Sequence, residues 1–112
     1  MAHQFDYPDW VHAHRTTWSA LLSMHVLDTV DPIVAIEIGS FEGRSTIFFA
    51  DHLLTHQQSR LYCVDTWLGG EEIERGKLDY NMATVEANFD HNIAQHRSAL
   101  QIIKQKGSSQ HW

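Results

Sequence analysis

The nine residues Glu37-Ile38-Gly39-Ser40-Phe41-Glu42-Gly43-Arg44-Ser45 join an apolar, β-branched run, Ile33-Val34-Ala35-Ile36, to an amphipathic segment that starts at Arg44. The chain must turn from strand to helix through glycines here, which constrains the fold more than any other feature. α/β proteins bind ligands at such turns. Glycine lets the backbone come close to a ligand, and a helix start offers unsatisfied N–H groups and a partial positive charge.

The rest of the chain supplies the alternation such a turn requires. Trp18, Leu21, Leu22 and His25 recur at helical spacing and predict a helix from about Trp10 to Leu27, which Asp31-Pro32 breaks. The run Ile33 to Ile38 does not alternate strictly and predicts a strand covered on both faces of a parallel sheet. A helix from about Arg44 to Thr55, a strand Leu61 to Val64 ending at Asp65, a helix from about Asp79 to His96 and a strand from Leu100 to about Lys104 follow. Met82, Val85, Phe89 and Ile93 form the core stripe of the last helix, and Gly107-Ser108-Ser109 the loop after the last strand. This order predicts an α/β, Rossmann-like parallel sheet in a three-layer αβα arrangement. Its right-handed crossovers and strand order 3-2-1 would make it the first half of a doubly wound fold. Residues 1–31 are a helical and aromatic N-terminal segment, and 32–112 the partial Rossmann-like domain.

Composition removes other classes. Apolar residues make up 43% of 112 positions, which excludes a disordered tract. Eight basic against 14 acidic residues, a net charge of −6 without a basic stripe, argue against nucleic acid. No window approaches the ~18 apolar residues of a membrane span, so no membrane partner is expected. The single cysteine, Cys63, lies in an apolar run as a buried thiol, which fits a reducing, cytoplasmic location. His52 and His56 share a helix face, but no third ligand accompanies them and no metal is expected; His12 and His14 are read the same way. Arg44 reads as a solvated first-turn residue.

Two acids flank the glycine loop. Asp65 lies 22 residues after Gly43, at the end of the next strand, the spacing at which a carboxylate accepts hydrogen bonds from ribose hydroxyls. It also suits a helix cap or turn residue. A dinucleotide fingerprint would place a glycine at Phe41, and Glu42 would repel a pyrophosphate, so NAD and FAD fit poorly. Glu37 suits an ammonium group, or else caps its own loop. Ribose, adenine and a cationic amino-acid end together describe S-adenosylmethionine.

The loop E-I-G-S-F-E-G-R-S and the later Asp65-Thr66-Trp67 with Gly69-Gly70-Glu71-Glu72 resemble the class I S-adenosylmethionine-dependent methyltransferases, in particular their small-molecule O-methyltransferase-like group. The resemblance extends weakly to Phe5–Trp18, Asn88-Phe89 and Gly107-Ser108-Ser109. It implies that Glu37, Gly39, Ser40, Phe41 and Gly43 line the methionine portion. It further implies that Asp65 holds the ribose, that Thr66 and Trp67 lie near the adenosine, and that Ser108 and Ser109 approach the adenine. Members of the group usually continue through further strands that carry the methyl acceptor, so the expectation is a truncated half, weak or inactive alone. Two alternatives stand beside it. One is a non-catalytic module that associates with a second copy or another chain through its first strand, and the other is a dinucleotide-binding domain.

Overall fold

The computed structural model describes residues 3–9, 11–25, 31–69 and 81–109. Trp10, Gly70-Glu71-Glu72 and the expected start of the last helix at Asp79 lie outside the described residues. A 3-10 turn at His12–His14 leads into α1, Arg15–His25. Then come β1, Val34–Ile38, α2, Arg44–Leu53, β2, Arg60–Asp65, and α3, Met82–Gln95. A second 3-10 turn, Ala99–Gln101, precedes β3, Ile102–Lys106. Leu100, expected to open this strand, instead lies in that turn at 97% exposure, where Gln101 N–H closes onto the Ser98 carbonyl at 2.9 Å.

The three strands pair in parallel in the order β1-β2-β3, the expected 3-2-1 half of a Rossmann-like sheet. Leu61 is registered with Ile102, and Cys63 with Glu37 on one side and Lys104 on the other, so these side chains share a face. Ala50 and Leu54 of α2 and Val85, Phe89 and Ile93 of α3 pack on that face together with Trp67 and form the core.

The opposite face differs from the expectation of cover on both sides. Val34, Ile36 and Ile38 are 70%, 68% and 68% exposed, and β1 alternates open and half-buried positions. The reason is geometric. Two successive right-handed crossovers that step in one direction along a sheet deliver both helices to the same side. Of the three layers of the αβα arrangement, the described residues supply the sheet and one helical layer. α1 adds to that layer, with Trp18 stacked on Phe49 of α2 at 5.3 Å.

Gly43 caps α2 at φ +90°, and a β-carbon there would sit 3.3 Å from Cδ2 of Phe89. The glycine thus lets α3 press against the start of α2. Gly39, at φ +85°, has nothing within 4 Å of the same position. Gly43→Ala is therefore expected to destabilise the fold by about 2 kcal/mol, strain and overpacking combined. Gly39→Ala should cost about 1 kcal/mol, from backbone strain alone. Urea denaturation of the two variants measures the difference.

Candidate functional site

The Asp65 carboxylate organises the turn between β1 and α2. Its Oδ2 accepts the backbone N–H groups of Ser40 at 2.9 Å and Phe41 at 3.0 Å, and its Oδ1 accepts Trp67 N–H at 2.8 Å. Phe41 and Trp67 both hold left-handed backbones, at φ +50° and +53°, which side chains larger than glycine adopt reluctantly. One carboxylate therefore fixes two strained residues on different loops. The Trp67 indole N–H donates to the Phe41 carbonyl at 2.9 Å and closes the link. Gly39 N–H reaches the Val64 carbonyl at 2.8 Å, and Gly43 N–H the Ser40 carbonyl at 2.9 Å.

These bonds revise the reading of the loop as an anion cradle. The N–H groups of residues 39, 40, 41 and 43 are all satisfied within the protein, leaving none of these four for a phosphate. The dinucleotide alternative loses its footing on this ground. The ground given from the sequence, repulsion by Glu42, does not hold, because the Glu42 side chain is turned inward and 1% exposed.

Glu37 lies under α2, as its register with buried Cys63 dictates. It accepts hydroxyl hydrogen bonds from Ser45 at 2.7 Å and from Thr46. Burial pushes its carboxyl above the usual carboxylate range, against the lowering effect of the two hydroxyls. Cys63, fully buried beside it, is pushed up to about 12 by burial and by the Glu37 charge, so it is no nucleophile. The Ser40 hydroxyl lies close to both groups, yet it has no hydrogen-bond partner among the described residues.

The N-terminal segment folds over the loop and is held there by Glu42, Asn88 and Asn92, side chains the sequence did not single out for this role. Glu42 Oε2 accepts Asp6 N–H at 2.8 Å and Asn88 Nδ2 at 2.7 Å, and its Oε1 accepts Tyr7 N–H at 3.1 Å. Asn92 pairs with the backbone of Gln4 on both sides, accepting its N–H at 2.6 Å and donating to its carbonyl at 2.8 Å. Arg44 is correspondingly not solvated. It donates to the Tyr7 carbonyl at 3.0 Å, lies 3.5 Å from Asp9 and covers the Phe5 ring at 4.0 Å. The sequence signal was Asn88 and Asn92, two amides set into the core stripe of α3 at i, i+4.

Two cavities open beside the loop and share Gly39 and Asp65. The larger, about 340 Å³, lies between Pro8, Val11 and Trp18 of the N-terminal segment and the loop from Gly39 to Ser45. The smaller, about 190 Å³, runs along the carboxyl ends of the strands past Ile38, Thr66 and Ser108. Gly39, Ser40, Phe41, Asp65, Thr66 and Ser108 thus line a groove made of two adjoining cavities. Gly43 and Trp67 stand behind it. Trp67 is 3% exposed against Phe89, so it meets the groove through its backbone and its hold on Phe41 rather than by stacking. Glu37 supports the groove from below.

A family model described as a methyltransferase domain matches residues 36–110. The chain belongs to this family. The methyltransferase-domain match covers β1 from Ile36 onward, all of β2 and β3, and the loops beside the cavities apart from their N-terminal wall. The chain is also similar to an apo structure of a TDP-rhamnose 3'-O-methyltransferase, an enzyme in calicheamicin biosynthesis. That likeness has 18% identity and a TM-score of 0.41, over 83% of this chain and 43% of the other. The chain thus spans less than half the length of that structure. No curated protein matches it in sequence.

Among the described residues, no group of three or more His, Cys, Asp or Glu side chains is arranged to hold a metal ion, and no helix is long and apolar enough to cross a membrane. The raised Glu37 carboxyl has a pH consequence. Its folded-state affinity for a proton exceeds the unfolded one, so its contribution to stability is full below the ordinary Glu pKa and is lost as pH rises through the folded value. Glu37→Gln should remove that loss. Urea denaturation is expected to show the variant gaining on the parent as pH rises from acid to neutral.

Proposed function

We propose that the groove holds S-adenosylmethionine and that the chain is the cofactor-binding portion of a methyltransferase acting on a small-molecule acceptor. The observation that carries this reading is the pair of cavities joined at Gly39 and Asp65, beside a loop whose N–H groups are already taken. Such a groove suits an elongated ligand without a phosphate, and its volume falls at the lower end of small-molecule sites. Asp65 retains acceptor capacity for ribose hydroxyls beyond its three N–H bonds, because a carboxylate offers about four lone-pair directions. Thr66 and Ser108 then flank the adenosine, and the open space at Gly39 accommodates the chain that leads to the amino-acid end. The larger cavity receives that end, with Ser40 and Phe41 lining it and Glu37 and Gly43 fixing the loop.

The sulfonium supplies an activated methyl group when the cofactor is bound. This chain's own contribution is to orient it: the rigid loop sets the ligand's position, and the apolar Pro8, Val11 and Trp18 keep water from one side. The choice of a small-molecule acceptor rests on the resemblance of the E-I-G-S-F-E-G-R-S loop and the Asp65-Thr66-Trp67 turn. We also place the protein in the cytoplasm, a reading supported by its single buried thiol.

S-adenosylhomocysteine, which binds without reacting, tests the site by titration calorimetry. Binding heat is expected with the parent chain. Asp65→Ala should weaken binding at least about tenfold, from the loss of one charge-assisted hydrogen bond at about 1.5 kcal/mol. NADH should give no heat. Absence of heat with the parent, or equal affinity in a folded Asp65→Ala, overturns the assignment.

β1 favours a second reading for the same chain. Among the described residues its outer edge pairs with no strand, and Val34, Ile36 and Ile38 are exposed on its open face, the combination that draws strands together. A second copy covering this strand would bury both features. Light scattering after size exclusion should then give twice the chain's mass at tens of micromolar, reverting to a monomer in Ile36→Lys. A monomer in the parent sinks this reading.

A further inference from the structure

The N-terminal wall of the larger cavity is attached to the rest of the domain in an unusual way. Gln4–Asp9 forms no strand and contributes few buried side chains, with only Phe5 and Tyr7 half-buried. What holds it is a set of polar side chains buried beneath it. Glu42 is 1% exposed, Asn88 6% and Asn92 0%; Glu42 and Asn92 bond the segment's backbone, and Asn88 Nδ2 donates to the Asp6 carboxylate at 3.1 Å. Asn92 also donates to the Glu42 carbonyl at 2.9 Å, which ties the set to the glycine loop itself. Tyr7 adds a second tie, as its phenol oxygen accepts Asn81 N–H at 2.8 Å at the cap of α3.

Buried polar groups are costly unless satisfied, and Glu42 meets three of its donors in this arrangement, two of them backbone N–H groups of the segment. Undocking the segment would strip Glu42 of Asp6 N–H and Tyr7 N–H and admit water to a pocket that is otherwise closed. It would also carry away Pro8 and Val11, which line the cavity opposite Gly39 and Phe41. Docking of the segment and existence of the ligand wall are therefore one event, controlled from Glu42, a loop residue at the edge of the same cavity whose side chain is turned towards the segment.

We propose that Glu42, with Asn88 and Asn92, is a clasp that docks residues 4–9 over the groove, and that Glu42 is a positioning residue for the ligand. This rests on the cofactor reading given above. The Glu42 carboxylate acts through the segment it docks. It sets the fraction of molecules whose groove is walled, and apparent affinity scales with that fraction.

Proline and alanine at Asp6 separate the clasp from general stability. Asp6→Pro deletes the N–H that Glu42 accepts, whereas Asp6→Ala keeps it and loses only the exposed carboxylate that accepts Asn88 Nδ2 and Gln4 Nε2, so the difference between the two variants isolates the backbone tie. With S-adenosylhomocysteine as probe, Asp6→Pro is expected to raise the dissociation constant about tenfold, as for a docked fraction reduced to about a tenth, with Asp6→Ala within about twofold of the parent. Glu42→Gln, which replaces an acceptor oxygen with an N–H donor, should weaken binding at least as much, provided circular dichroism shows it folded. In the parent chain the probe should also slow hydrogen exchange at the Gln4, Asp6 and Tyr7 amides, and this protection should be lost in Asp6→Pro. Parent-like affinity and parent-like exchange protection in Asp6→Pro overturn the clasp while leaving the cofactor reading intact if Asp65→Ala still loses binding. No binding by the parent overturns the cofactor reading and the clasp with it.

Discussion

One carboxylate, at the end of the central strand, holds together segments that have no other reason to meet. Asp65 accepts three backbone N–H groups from two loops, and its own carbonyl accepts Gly107 N–H at 2.8 Å from the end of β3. The left-handed backbones at Phe41 and Trp67 persist because this acceptor overdetermines them. Without the carboxylate, the glycine loop would keep only the Trp67 indole bond to the Phe41 carbonyl and the Gly39 bond to Val64 as its ties to β2 and the turn after it. The groove is thus preorganised, with its shape fixed before any ligand arrives, and that reduces the ordering a ligand must impose.

The parts of this architecture governed by local chemistry were legible in the chain. β-branched runs, proline and glycine breaks, and apolar stripes of period 3.6 located every described strand and helix to within a few residues. Asp65, placed by the sequence at the end of the strand after the glycine loop, reaches that loop at Ser40 and Phe41. The strand order followed from the doubly wound scheme that alternating strands and helices imply. What local pattern could not convey was which face of the sheet the helices would choose. β1 looks like a doubly covered strand because it is continuously apolar, yet Val34, Ile36 and Ile38 remain open.

The site was legible in its membership and less so in its roles. Glu37, Ser40, Asp65 and Trp67 were expected to face a ligand. In the fold Glu37 serves two hydroxyls of α2, Ser40 and Asp65 bond to each other, and Trp67 fills the core. A residue's type gives its chemistry, but its direction depends on contacts distant in sequence. Glu42 is the clearest instance. Its donors come from 36 residues upstream and 46 downstream, separations over which no motif in a single sequence carries a signal.

The burial of Cys63 has a practical meaning. It is the chain's single thiol, it lies on the central strand beneath both helices, and its pKa near 12 leaves almost none of it as thiolate at neutral pH. Oxidants and alkylating reagents reach it only when the sheet itself opens. The molecule therefore carries a built-in clock for global unfolding, one whose rate of labelling reports the opening of the central strand and not the breathing of its loops.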